Sequence, residues 1–256
     1  MFEGLVEEED RKVPTEKRVK ATRRGRKKHG EPIKVDENLI LNEVQPKTIN
    51  QSKVFESFES GKHLLLHGSA GTGKTFISIY LALQRILDSK SKHNRITLVR
   101  SAVPTRDIGF LPGSTKEKLE VYEAPYQAIF NELFGRADAY QILKLKKIVN
   151  FLPTSFVRGT TISNSIIIVD ECSNLSGHEL DSIITRVGDN SRIIFCGDYS
   201  QSDFTRSHEK NGLKGFMSII DSMKSFDHVE FTEDDIVRSG LVRDYIINKN
   251  RLGITF

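Results

Sequence analysis

Five short apolar runs recur along the chain: HLLLHG (63–68), RITLVRS (95–101), SIIIVDE (165–171), RIIFCGD (192–198) and HVEFTE (228–233). Runs this short, rich in aliphatic and β-branched residues and closed by polar residues or glycine, predict buried strands. Segments with helical spacing lie among them, at 74–87, at HELDSIITRVG (178–188) and at 241–249. Near-continuous apolar strands alternating with helices predict an α/β fold, a predominantly parallel sheet with helices on both faces. The stretch 104–153 breaks the alternation between the second and third strands. It opens with PTRDIGFLPGSTKEKLE, which reads as a loop entering a helix, and continues through two Lys-rich helical patterns. It is expected to be an inserted loop and helical segment, where functional excursions sit. There is no internal repeat.

Composition narrows the class. At 256 residues the chain can bury one good core. No apolar run approaches the length of a membrane span, and the opening MFEGLVEEED lacks the charged n-region and apolar stretch of a signal peptide. The two cysteines, Cys172 and Cys196, have neither CxxC spacing nor a disulfide framework, which fits a reducing compartment and a cytoplasmic location.

Charge changes the picture at one end only. Residues 1–34 carry eleven Lys/Arg against seven Asp/Glu, and the remainder carries 27 of each sign, so the net charge of +4 sits in the leading segment. RKVPTEKRVKATRRGRKKHG is densely basic and aperiodic, which predicts a disordered arm over 1–40 ahead of a single domain over 41–256. The arm reads equally as a phosphate contact for nucleic acid or as a solubilising tail. No aromatic residue is interleaved in it, which argues against base stacking from this arm.

The first apolar run leads into GSAGTGKT, which fits G-x-x-x-x-G-K-[ST] from Gly68 to Thr75. The glycines Gly68, Gly71 and Gly73, with Ser69, Ala70 and Thr72 between them, let successive backbone N–H groups turn inward as an anion nest. The helix that follows adds unpaired N–H groups and a positive dipole end. Lys74 supplies a point charge for terminal phosphates, and the Thr75 hydroxyl can ligate Mg²⁺. The pattern predicts nucleotide-phosphate binding.

Hydrolysis needs carboxylates too. Asp170 ends the third apolar run, where ligands of an open α/β sheet gather, and can serve Mg²⁺ directly or one contact removed. Glu171 beside it can take a proton from attacking water. In FCGDYSQ another strand ends at Gly197-Asp198 and Gln201 follows. An amide there can bond both γ phosphate and lytic water; the same letters also make an ordinary turn.

Taken in order, GSAGTGKT, RSAVPTRDIGFLPGSTKEKLEVYEAPY, SFVRGTTISNSIIIVDECSN, TRVGDNSRIIFCGDYSQSD and VEFTEDDIVRSGLVRDYI resemble a PhoH-like protein of phage type. That family is a P-loop ATPase group similar to the first RecA-type domain of superfamily 1 helicases. The resemblance covers roughly 44–250. Two blocks depart from the family's usual sequence: Asp-Glu-Cys-Ser-Asn stands for Asp-Glu-Ala-Gln-Asn, so Ser173 replaces a glutamine, and Arg100-Ser101-Ala102 stands for Arg-Pro-Ala. The resemblance implies further roles. Gln51 looks like the adenine-reading glutamine upstream of a P-loop, or else a surface residue at a helix start. Arg238 is similar to the family arginine near the transferred phosphate, and Arg186 is another candidate finger; either could instead be a surface or capping cation. Arg100 and Arg158-Gly159 look like substrate-side or structural positions.

Helicases of that superfamily close ATP between two RecA-type domains, and one is legible here. A neighbouring subunit would complete the cleft, and the family implies a hexameric ring. Three function classes follow. The first is an Mg²⁺-dependent ATPase stimulated by RNA or single-stranded nucleic acid, with duplex unwinding as a further capacity. The second is a nucleotide-gated binding or assembly module with little chemistry, and the third a P-loop kinase acting on a small molecule. The Asp170-Glu171 pair favours water over a metabolite as acceptor.

Overall fold

The computed structural model of the chain describes residues 33–36, 39–101, 115–198 and 207–253. The basic arm up to residue 32, the entry to the inserted segment and Gln201 lie outside the described residues. In chain order the elements are β1 (Ile33–Asp36), β2 (Leu39–Leu41), α1 (Ile49–Glu59), β3 (His63–Gly68), α2 (Lys74–Ile86), β4 (Arg95–Arg100), α3 (Thr115–Phe134), α4 (Ala139–Leu145), β5 (Val149–Pro153), β6 (Ser165–Val169), α5 (Gly177–Ile184), β7 (Arg192–Gly197), α6 (Ser207–Ser222), β8 (Phe226–Phe231) and α7 (Gly240–Arg251).

β1 and β2 form an antiparallel pair. The other six strands make one sheet in the order β5-β4-β6-β7-β3-β8, and every pairing in it is parallel. All five apolar runs are strands of this sheet, as their composition predicts. The period of two divides each strand between two cores. Leu64 and Leu66, Ile96 and Leu98, Ile166 and Ile168, Ile194 and Cys196 face the core built with α1, α2, α3 and α4. Leu65, Val99, Ile167 and Val169, Ile193 and Phe195 face the core built with α5 and α6. The parallel α/β sheet is therefore covered on both faces.

The sixth strand corrects the reading of 104–153 as loop and helix. Its last five residues are β5, at the sheet edge beside β4. The strand is short, alternates buried and exposed positions, ends in Pro153 and follows KLKK without a break. Proline is tolerated there because an edge strand has one unpaired side. The rest of the insertion that is described, α3 and α4, lies against α2 and β5 rather than apart from the domain.

Connections set the C-terminal ends of β3, β6 and β7 side by side. β7 lies between the other two, so whatever follows β3 and β6 meets across its end. Chain leaving the end of β6 turns through Cys172–Asn174 into α5, whose start is fixed by Ser176. The Ser176 hydroxyl accepts from the Glu179 N–H, and the Glu179 carboxylate accepts from the Ser176 N–H in return.

Candidate functional site

The glycine-rich turn leaves β3 with Gly68 at φ 116°, Gly71 at φ 74° and Gly73 at φ 82°. For Gly68 the requirement is doubly strict, because a Cβ there would stand 2.0 Å from the carbonyl oxygen of Phe231 in β8. That carbonyl accepts from the Ser69 N–H at 3.1 Å, so β8 carries the back of the turn. Gly73 in the left-handed region is the residue before α2, and the helix starts with Lys74 and Thr75 pointing into a cleft of about 700 Å³. A left-handed glycine ahead of a 13-residue helix aims the helix's unpaired N–H groups at that cleft.

Lys74 is folded back onto the turn. Its ammonium donates to the Gly68 and Ser69 carbonyls at 2.8 Å each and lies 5.9 Å from the Phe231 ring centroid. Burial lowers its pKa, and Asp198, Cys196, Glu171 and Asp170 pull the other way. The Thr75 hydroxyl donates to Asp170 Oδ1 at 2.7 Å, which joins the start of α2 to the end of β6. Thr75 and Asp170 thus offer two adjacent oxygens, the hard donors that Mg²⁺ accepts alongside phosphate oxygens. Among the described residues no cluster of three or more His, Cys, Asp or Glu side chains could hold a metal by itself.

Glu171 sits on the cleft rim next to Asp170, with φ 51° and ψ 41°. A non-glycine residue held there costs about 1 kcal/mol or more, and such strain gathers at functional positions. Solvent reaches the side chain, yet the atoms crowded around its carboxylate raise its pKa. Desolvation is the main cause and Asp170 adds to it, while Arg100 and Lys74 oppose it. The acid is therefore moved toward the range in which it can accept a proton from water.

Gln51, nearly buried in α1, touches the turn from behind. Its Nε2 donates to the Thr72 carbonyl at 3.0 Å and its Oε1 accepts from the Lys47 N–H at 2.7 Å. Each end of the amide keeps one further valence. Arg238 also lines the cleft, and its Cγ would stand 2.8 Å from a Cβ on Gly71. The neighbouring Val237 N–H donates to the Gly71 carbonyl at 3.1 Å.

Most of the residues read from the sequence therefore meet in one place. Gln51, Ala70 to Thr75, Asp170, Glu171 and Arg238 line the cleft, and Gly68 and Ser69 form its back wall. Arg186 is not among them. It follows α5, and its carbonyl accepts from the Ile162 N–H ahead of β6, at the sheet's opposite end. Ser173 is buried, and its hydroxyl accepts from the Asp198 N–H at 3.3 Å, tying the ends of β6 and β7 together.

Two more residues join the site: Arg100, for which the resemblance implied a substrate-side or structural place, and Tyr126, to which it gave no role. Arg100, at the end of β4, lines the cleft and hydrogen-bonds the Tyr126 hydroxyl. Tyr126 of α3 is buried and donates to Asp170 Oδ2 at 2.9 Å. An aromatic residue on a helix pattern reads as core, and only its place beside a strand-end carboxylate marks it otherwise.

A family model described as PhoH-like protein matches residues 43–248. The chain belongs to the PhoH-like protein family. Within that family it is 29% identical over 206 residues to a PhoH-like protein of Mycobacterium tuberculosis (strain ATCC 25618 / H37Rv), covering 79% of this chain and 57% of the relative. A PhoH-like protein of Bacillus subtilis (strain 168) is 29% identical over 213 residues, with 83% and 66% covered. Protein PhoH of Escherichia coli (strain K12) is 30% identical over 193 residues, with 75% and 54% covered. The chain thus spans 57% of the mycobacterial family member's length. Among solved structures, the large terminase from a thermophilic bacteriophage aligns with a TM-score of 0.47 at 12% identity, over 81% of this chain and 50% of the terminase. Unliganded Pif1 from Bacteroides sp aligns with a TM-score of 0.39 at 16% identity, over 84% and 47%.

Proposed function

We propose that this chain binds ATP with Mg²⁺ and hydrolyses it, and that single-stranded nucleic acid, RNA foremost, stimulates the turnover. The observation that carries this reading is the convergence of Lys74, the Thr75–Asp170 oxygen pair and Glu171 on one cleft. Thr75 and Asp170 would hold Mg²⁺, which would supply positive charge against the charge that develops on the phosphates. Backbone N–H groups of the turn and the α2 start hold the phosphates. Lys74 exchanges its carbonyl partners for phosphate oxygens. Glu171 orients a water and takes its proton. Gln51 has one N–H and one lone pair left to meet the N6/N7 edge of adenine, which favours ATP over GTP.

The cleft is completed by a neighbouring copy in a homo-oligomeric ring, hexameric by family resemblance, with Arg238 serving its own cleft and Arg186 in reach only of another copy's. Of the arm read over 1–40, β1 and β2 belong with the domain, so the stretch ahead of β1 would serve nucleic-acid phosphate and the domain from β1 onward nucleotide.

The test is phosphate release from ATP by the native chain and by Lys74→Ala, each with and without single-stranded RNA or DNA, beside calorimetry of Mg²⁺-ATP binding. Native turnover that RNA stimulates, absent from Lys74→Ala, is the expected result. Binding without phosphate release would favour the nucleotide-gated module instead, and phosphate appearing on a metabolite would favour the kinase. No heat of ATP binding at all would end the reading.

A further inference from the structure

Asp170 is held from two sides. Thr75 bonds its Oδ1, and Tyr126, from the inserted segment, bonds its Oδ2. Tyr126 is itself fixed. Its ring packs 5.9 Å from Phe151 of β5, and Arg100 hydrogen-bonds its hydroxyl from the end of β4. Pro125, just before it, lacks the N–H that would close a helical turn onto Val121, so the turn of α3 carrying Tyr126 has one internal bond fewer than a regular helix. Its orientation depends correspondingly more on side-chain anchorage.

That anchorage lies one turn earlier on the same helix. Glu123 is 4% exposed and accepts from the Tyr140 hydroxyl at 2.8 Å and from Lys144, both of α4. A carboxylate so deeply buried is tolerated because both donors reach it, and it fixes the rotation of α3 about its axis. α4 thus holds Glu123, Glu123 holds α3, and α3 presents the Tyr126 hydroxyl to Asp170. A tyrosine needed only for packing would not have to direct its hydroxyl at a carboxylate already bonded by Thr75.

We propose that Tyr126 is a positioning residue of the divalent-cation site, and that the α3–α4 pair, through Glu123 and Tyr126, sets how tightly that site holds Mg²⁺ beside a nucleotide. The inference rests on the ATP-binding reading above. With both carboxylate oxygens engaged, Asp170 is held in one rotamer with Oδ1 turned to Thr75. Without the Tyr126 hydroxyl the carboxylate can swing, and each binding event must order it anew. Partners that orient metal-binding side chains are commonly worth about tenfold to a hundredfold in metal affinity.

Tyr126→Phe removes the hydroxyl and keeps the ring. Nucleotide binding is followed by fluorescence of a labelled ADP, in EDTA and across a Mg²⁺ titration, with Mn²⁺ paramagnetic resonance as a direct count of bound ion. The expected result is unchanged nucleotide affinity in EDTA, a Mg²⁺ half-saturation raised about tenfold or more, and ATP turnover that recovers as Mg²⁺ is raised. Glu123→Gln shifts the Mg²⁺ requirement in the same direction by less. An unchanged Mg²⁺ requirement in Tyr126→Phe overturns the inference, and so does lost turnover that Mg²⁺ does not restore. Should Tyr126→Phe not fold, 3-fluorotyrosine at position 126 of the otherwise native chain replaces it. Its ¹⁹F resonance is expected to move when Mg²⁺ joins the ADP complex, and a stationary resonance overturns the inference. Failure of the native chain to bind nucleotide at all is a separate outcome, and it removes the ATP reading itself.

Discussion

Glu171 concentrates the conflict between folding and chemistry in one residue. Its left-handed backbone is strained; its carboxylate is desolvated and also repelled by Asp170, so the folded chain holds the Glu171 proton more tightly than the unfolded chain does. Proton binding that favours the native state means stability falls with rising pH between the unfolded pKa, near 4.5, and the raised native one. Below that window the residue contributes no pH dependence, and above it the cost is fully present. Glu171→Gln is therefore expected to melt higher than the native chain at neutral pH, with the gap closing as pH falls toward 4.5. The same variant should bind nucleotide and turn over about a hundredfold to ten-thousandfold more slowly, as loss of a general base typically does. Parallel melting curves and stopped turnover across pH check both halves. A native pH–rate profile with its acid limb at the ordinary glutamate position would speak against Glu171 as the base. Sequence reasoning reached Glu171, Asp170 and Lys74 because motif spacing carries their chemistry. It could not reach Tyr126, and it left Arg100 between a substrate-side and a structural place, because what decides them is a neighbour far away in sequence.

At the scale of elements, the phosphate turn is a joint product of β3 and β8. Gly68→Ala puts a methyl group against the Phe231 carbonyl and into a backbone region unfavourable for alanine. It is expected to destabilise the domain by about 3 kcal/mol or more and to weaken nucleotide binding with it. Thermal unfolding and calorimetry on the same variant measure the two effects. Gly159→Ala is the contrast: it also has a positive φ, at 80°, but nothing lies within 4 Å of a Cβ there, so the cost is backbone strain alone, about 1 kcal/mol. Four of the five apolar strands, β3, β4, β6 and β7, were legible because a buried parallel strand writes itself as a nearly unbroken apolar run, and β8, at the other edge, because Val229 and Phe231 alternate with polar residues. β5 was not, because an edge strand needs only one apolar face, and Asn150 and Pro153 interrupt the pattern. The same difficulty hides β2, three residues long, whose Leu39 and Leu41 are buried although they follow the polar arm.

For the whole molecule, the position of Arg186 decides how an arginine finger could work. It lies at the end of the sheet away from the glycine-rich turn, so a role at a phosphate requires a second copy. On the proposed ring, Arg186→Ala and Lys74→Ala are each inactive for different reasons. Mixing them should create clefts with an intact turn from one copy and an intact arginine from the other. Turnover above the sum of the separate proteins, together with a solution mass above that of one chain, is the expected outcome; a monomer with full turnover would exclude the ring.

The clasp between Ser69 and Phe231, reinforced by Val237 on Gly71, gives the C-terminal third a share in the cleft. A chain cut after α6 would retain every letter from Gly68 to Thr75 and still lose the wall those letters lean on. Ile246 of α7 leans on the same turn, its Cδ1 standing 3.3 Å from where a Cβ on Gly71 would lie, so a shift of that helix would be felt at the glycine-rich turn.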